Sequence, residues 1–165
     1  MKLSEAGVTL GDQAEGLERA ALSVTGPNHV APTVSPPDMQ RLRVMVVDDD
    51  EGFRGMIRDW LTEEGISEVA EARDGAEAVA CATHARLDVI LMDVRMPRMN
   101  GIEAAERIRE LLPSVQVVML SGYEDAALKR AGEAAGVHTY LVKGCPPAVL
   151  WRTIRLAGAA ISLAE

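Results

Sequence analysis

Short apolar runs that end abruptly in polar residues recur along this chain. Val46-Val47 runs into Asp48-Asp49-Asp50, and Val89-Ile90-Leu91-Met92 into Asp93. Val117-Val118-Met119-Leu120 ends in Ser121, and Tyr140-Leu141-Val142 in Lys143. Such runs read as strands buried on both faces of a parallel sheet. They predict strands over residues 42–48, 87–93, 115–120 and 137–142, with a weaker, more polar edge strand over 66–72. Between them the apolar period changes to that of a helix. Phe53, Met56, Ile57, Trp60 and Leu61 form one stripe over 51–64, and Gly65 stops it. Residues 76–85 form a small-residue helix. Asn100 caps a helix whose inward stripe is Ile102, Ala105, Ile108 and Leu112. An Ala-rich helix over 124–135 ends at Gly136. Pro146-Pro147 opens a last helix with Val149, Leu150, Ile154 and Ala157 inward.

Five strand–helix units with short connections predict an α/β fold: a doubly wound, five-stranded parallel sheet with helices on both faces. The flavodoxin-like order 2-1-3-4-5 fits the count and makes strands one and three neighbours at the switch point, where ligands bind in such sheets. Asp48, Asp49 and Asp93 then converge. Residues 1–40 differ from the rest. Pro27, Pro32, Pro36 and Pro37, half of the eight prolines, lie there. This stretch reads as a leader, disordered or weakly helical through 11–22, ahead of a domain over 41–158 and a tail over 159–165.

Composition narrows the function. The 25 acidic against 17 basic residues give a net charge of −8. A direct nucleic-acid surface needs a basic face, so none is expected. No run is long enough to span a bilayer, and the N-terminus lacks a basic region followed by an apolar block. Neither membrane insertion nor secretion is expected, and the default location is cytoplasmic. Cys81 and Cys145 fit no metal spacing; Cys81 sits in an apolar helical pattern and reads as a buried thiol.

The converging carboxylates define the chemistry. Two unit charges 4 Å apart repel by about 4 kcal/mol at an effective dielectric of 20. Mg²⁺ answers that repulsion, because it accepts one or two carboxylates, keeps waters and binds phosphate oxygens. A strand-end carboxylate beside it can attack phosphorus, with an ammonium and a hydroxyl to meet the phosphoryl oxygens.

Residues 42–157 resemble a response-regulator receiver domain of two-component signalling. The matching segments are Val46-Val47-Asp48-Asp49, Leu91-Met92-Asp93-Val94-Arg95-Met96-Pro97, Met99-Asn100-Gly101, Val118-Met119-Leu120-Ser121-Gly122-Tyr123 and Tyr140-Leu141-Val142-Lys143-Gly144. The resemblance implies that Asp93 is the phosphoacceptor and a Mg²⁺ ligand, that Asp49 is a direct Mg²⁺ ligand, and that Asp48 holds metal-bound water. It makes the backbone carbonyl of Arg95 a further ligand. Ser121 and Lys143 become the groups that meet the phosphoryl oxygens, and Tyr140 the aromatic that moves with Ser121. Arg95 and Tyr123 stand where phosphoryl lifetime is tuned. Asp50 lies outside the usual pair and receives no ligand role. Gly122 replaces a more common Ala. Gly144 replaces a proline that often carries a cis bond, so this loop is expected to be built differently.

The expected function is a single-domain response regulator. It would be phosphorylated on Asp93 by a sensor histidine kinase or phosphotransfer protein, and would signal to a downstream protein through the face of helix 4, strand 5 and helix 5. Trp151, off the apolar stripe of the last helix, is a candidate partner anchor. The alternatives are a receiver fragment of a DNA-binding transcriptional regulator and a receiver-like scaffold that takes no phosphate. A haloacid-dehalogenase-type phosphatase needs an acid two residues after its nucleophile. Arg95 stands there and cannot donate a proton at pH 7, so no catalysis beyond self-phosphorylation and dephosphorylation is expected.

Overall fold

A computed structural model describes residues 39–162. A short 3-10 turn, Met39–Arg41, leads into strand β1 (Arg43–Val47). There follow helix α1 (Glu51–Glu63), β2 (Glu68–Ala72), α2 (Gly75–His84), β3 (Val89–Asp93), α3 (Gly101–Leu111), β4 (Gln116–Ser121), α4 (Ala126–Ala134), β5 (Thr139–Val142) and α5 (Pro147–Ser162). The strands form one parallel sheet in the order β2-β1-β3-β4-β5, as the sequence pattern predicts. The expected helix over 11–22, and the leader through residue 38, lie outside the described residues.

Alternation along the strands splits the core in two. Met45, Val47, Ile90, Met92 and Met119 face Ala78, Ala82, Ala104, Ala105 and Ile108 of α2 and α3. Val44, Val46, Leu91, Val118 and Leu120 face Ile57 and Leu61 of α1 and Leu150, Ile154 and Ala157 of α5. All five residues of β3 are buried, which explains its unbroken apolar run. The edge strands β2 and β5 are mostly half-buried.

Side-chain caps place the helix starts. Asp50, Asp74, Asn100 and Asp125 each accept a backbone N–H of the first turn. The α4 cap is therefore Asp125 rather than a start at 124. Ile66 is fully buried, but its N–H closes the end of α1 on Leu61 O at 3.0 Å, so β2 begins at Glu68 and not at 66. Helix α5 runs through Ser162, past the expected boundary at 158, with Ala157 and Gly158 buried.

The register sets the site. Val47 pairs with Met92, Asp93 with Leu120, and Ser121 with Val142. The residues that follow β1 and β5, together with the last residues of β3 and β4, thus share one edge of the sheet.

Candidate metal and phosphoryl site

Asp48 is held at every polar atom. Its N–H extends the sheet to Ala72 O (3.1 Å), and its carbonyl accepts Arg54 Nη1 (2.7 Å). Its Oδ1 accepts the Asp50 N–H (3.0 Å), and its Oδ2 faces Lys143 Nζ at 2.6 Å. Asp50 Oδ1 caps α1, accepting Phe53 N–H at 3.0 Å. Asp49 is exposed at the rim. Oxygens of Asp48, Asp49 and Asp93 lie within 4.8 Å of one another. Asp48 is 1% and Asp93 6% exposed.

Lys143, directly after β5, reaches back across the sheet edge. Its ammonium is 3.2 Å from Asp93 Oδ2 and sits 4.6 Å from the Phe53 ring centroid. Burial alone would lower the Lys143 pKa, but Asp48 and Asp93 outweigh it and hold the ammonium above the ordinary lysine value. For Asp93 the balance is reversed. Burial first, and then Asp48, raise its pKa, while Lys143 and the Arg95 backbone N–H recover only part of that. One ammonium does not neutralise three carboxylates. The all-oxygen donor set, partly open to water through Asp49, fits Mg²⁺.

The other expected residues are also close to this edge or behind it. Ser121 is buried and donates its Oγ proton to Tyr123 O at 3.0 Å. The Arg95 guanidinium stacks 4.8 Å from the Tyr123 ring centroid, bridging the loops after β3 and β4. Arg95, Met96, Pro97 and Asp49 line a groove of about 630 Å³ that runs past α3. Tyr140 packs against the first core, and its buried hydroxyl has no hydrogen-bond partner. Gly101 is required because a Cβ there would overlap the Asp93 carbonyl oxygen. Gly144 adopts φ +83° and no peptide bond among the described residues is cis, in line with the departure read from the sequence. A Cβ at Gly122 would meet open space.

Trp151 points elsewhere. Its ring is half-buried and meets Trp60 of α1 edge-on, with centroids 5.9 Å apart and planes at 79°. It therefore packs toward α1 rather than toward the α4–β5–α5 edge. Sequence reasoning missed three contacts: Arg54 on the Asp48 carbonyl, Phe53 under Lys143, and the Arg95–Tyr123 stack. Arg95 and Tyr123 carry a signal, each standing two residues beyond a strand-end site residue. Arg54 carries none, since an arginine on α1 reads as a solvated charge.

The response regulator receiver domain family matches residues 44–155. Among curated relatives, a protein-glutamate methylesterase/protein-glutamine glutaminase of Haloarcula marismortui is 50% identical over 84 residues, 51% of this chain and 22% of that protein. The chemotaxis protein CheY of Thermotoga maritima is 33% identical over 105 residues, covering 64% of this chain and 88% of that protein. The solved structure of Vibrio cholerae CheY4 superposes with a TM-score of 0.66 at 36% identity, covering 70% of this chain and 98% of that one. The receiver domain of Saccharomyces cerevisiae Ssk1, in complex with the histidine phosphotransfer protein Ypd1, superposes with a TM-score of 0.66 at 26% identity over 71% of this chain and 88% of that one. The chain thus spans about a fifth of the methylesterase it matches. It belongs to the response regulator receiver family of two-component systems. Receiver domains are signalling modules that bind Mg²⁺ through an acidic pocket and interact with histidine kinases and phosphotransfer proteins. Among the described residues, no helix is long and apolar enough to cross a membrane.

Proposed function

We propose that this chain receives a phosphoryl group on Asp93 from a histidine kinase or a histidine phosphotransfer protein, in the cytoplasm. The observation that carries this reading is Lys143, whose ammonium bridges Asp48 and Asp93 at 2.6 and 3.2 Å although the three residues come from separate chain segments. An Asp93 carboxylate oxygen attacks phosphorus, the phosphorus–nitrogen bond to the donor histidine breaks, and the histidine leaves with the bond's electron pair. Asp48, Asp49 and Asp93, with the Arg95 carbonyl, would hold Mg²⁺, which offsets the charge of the carboxylates and the phosphoryl oxygens. Lys143 Nζ, already beside Asp93, follows the new negative charge. Ser121 gives up its bond to Tyr123 O to donate to a phosphoryl oxygen.

The output follows from that exchange. Tyr123 and Ser121 share the loop after β4, and Tyr140 lies on the neighbouring strand with a hydroxyl that bonds nothing. A ring whose polar end is unsatisfied in the resting state is poised to change place when Ser121 moves. Phosphorylation then shifts a two-state equilibrium of the α4–β5–α5 face toward a downstream protein.

The test is incubation with Mg²⁺ and a small phosphodonor such as acetyl phosphate, read by intact mass. Wild type gains one phosphoryl group and Asp93→Asn gains none. Wild type that stays unlabelled while binding Mg²⁺ makes the chain a scaffold instead. Equal labelling of both proteins moves the acceptor to another residue.

A further inference from the structure

Asp74, the cap of α2, is 1% exposed. Its Oδ1 accepts the Glu77 N–H at 2.9 Å, and its Oδ2 forms an ion pair with the Arg98 guanidinium. Capping does not explain the charge, since Asn caps a helix as well as Asp does. A buried carboxylate is unfavourable unless it is paired. Its partner, whose side chain is largely exposed, carries a backbone cost instead. Arg98 has φ +67°, the only non-glycine residue with positive φ among the described residues, in a region where a side chain meets the following carbonyl. Two unfavourable features therefore meet each other, and strain of this kind persists only where the surroundings over-determine it.

What they join is the loop between β3 and α3. That loop is bound to the α2 start a second time, by Gly75 N–H to Met99 O at 3.2 Å. Gly75 allows the approach, since a Cβ there would come within 2.7 Å of Met99 O. The loop closes on itself through Gly101 N–H to Val94 O at 3.0 Å and Met99 N–H to Pro97 O at 2.8 Å. Its first residues reach the site: Val94, next to Asp93, extends the sheet to Leu120 O at 3.1 Å, and Arg95 lines the same groove as Asp49.

We propose that Asp74 and Arg98 are positioning residues for the metal and phosphoryl site: their ion pair clasps the β3–α3 loop to the start of α2 and fixes the Arg95 backbone beside Asp93. This rests on the reading of Asp93 and the Arg95 carbonyl as metal ligands. The clasp touches neither metal nor phosphoryl group, and acts only through the loop.

The test compares Asp74→Asn, which keeps the cap and loses the charge, with Arg98→Gly, which loses the cation and relieves the backbone. The two changes alter the net charge in opposite directions, so a purely electrostatic effect on Mg²⁺ would have opposite signs. A positional effect has one sign. Mg²⁺ is titrated calorimetrically into the unphosphorylated full chain, and amide exchange is followed on the metal-free protein. Both variants should bind Mg²⁺ about tenfold more weakly, the low end for loss of an outer partner at a metal site. Exchange should quicken at Gly75 and Gly101 but not at the β3 amides. The double variant should be no worse than the worse single one, because the two residues act as one unit, and Arg98→Lys should restore affinity. Mg²⁺ affinities within about threefold of wild type in both single variants, or shifted in opposite directions, overturn the proposal. So does unchanged exchange in both. Wild type that binds Mg²⁺ but is not phosphorylated overturns the proposed function and leaves the clasp standing; wild type that binds no Mg²⁺ overturns both.

Discussion

Lys143 Nζ sits 2.6 Å from Asp48 Oδ2, an oxygen with no other hydrogen-bond partner. The lysine side chain is 23% exposed and the aspartate side chain 1%. Removing one member of a buried ion pair costs about 3–5 kcal/mol, because the other charge is stranded. Water at the lysine end reduces that here. Lys143→Ala is expected to lose about 1–3 kcal/mol of stability without metal, read from urea unfolding, and to recover most of it with saturating Mg²⁺. It should still accept phosphate on Asp93 while losing the coupled change at the α4–β5–α5 face. A mutant as stable as wild type without metal would mean that the pair contributes nothing, and an unchanged partner response would remove Lys143 from the switch.

The raised pKa of Asp93 makes a prediction about acid. Burial and Asp48 disfavour its ionised form more than Lys143 favours it. The folded state therefore holds a proton on Asp93 more tightly than the unfolded chain does. The stabilising contribution is complete below the unfolded-state pKa and is lost as pH rises through the folded-state value. At neutral pH without metal, ionised Asp93 is a net cost. Asp93→Asn should melt higher than wild type in chelator at pH 7, and the gap should close as pH falls through the carboxylate range. Mg²⁺ should raise the melting temperature of wild type more than that of the mutant. A mutant that melts lower than wild type at pH 7 in chelator would reverse the sign.

The sheet order and the meeting of Asp48, Asp93, Ser121 and Lys143 were legible because they depend on local signals. Each apolar run ends in its polar residue, and parallel strands deliver those ends to one edge. Boundaries were less legible where burial and pairing separate. Ile66 is apolar and buried like a strand residue, yet its N–H closes the end of α1. Two of the missed contacts, Lys143 over Phe53 and Arg95 over Tyr123, join distant segments. Arg54 is only six residues beyond Asp48, but it looks like one more charge on α1, and no apolar period reports that its guanidinium folds back onto the carbonyl that precedes the helix. Trp151 was read from its angular position on α5. Its neighbour Trp60 is far away in sequence, and no helical period reports that edge-on contact.

Gly101 and Gly144 separate two reasons for glycine. At Gly101 a Cβ would overlap the backbone carbonyl of Asp93, which cannot yield without moving the acceptor. At Gly144 a Cβ meets nothing within 4 Å, and the difficulty is φ +83° alone. Gly144→Ala should cost about 1–2 kcal/mol, the price of left-handed backbone. Gly101→Ala should cost more, above about 3 kcal/mol, the upper range for an overpacked site, and should also lower the rate of phosphorylation. Equal losses in urea unfolding would show that the α3 start shifts freely.

Arg95 and Tyr123 give the direction of an effect that their positions alone leave open. The guanidinium lies 4.8 Å from the ring centroid and joins the loops after β3 and β4. Ser121 Oγ bonds Tyr123 O, so the stack also braces the loop that must release the serine. On the proposed function, covering the rim would restrict the water that attacks phosphorus opposite Asp93. An exposed cation–π pair is worth about 0.5–1 kcal/mol, which corresponds to a factor of about 2–5 in rate. Arg95→Ala and Tyr123→Ala should each speed loss of phosphate by about that factor. The double mutant should be no faster than the quicker single one, since either change removes the same stack. Phosphate release would be followed at fixed Mg²⁺ after the donor is removed. Additive acceleration would mean that the two side chains act on water separately, and slower release in either mutant would show that the stack opens the site.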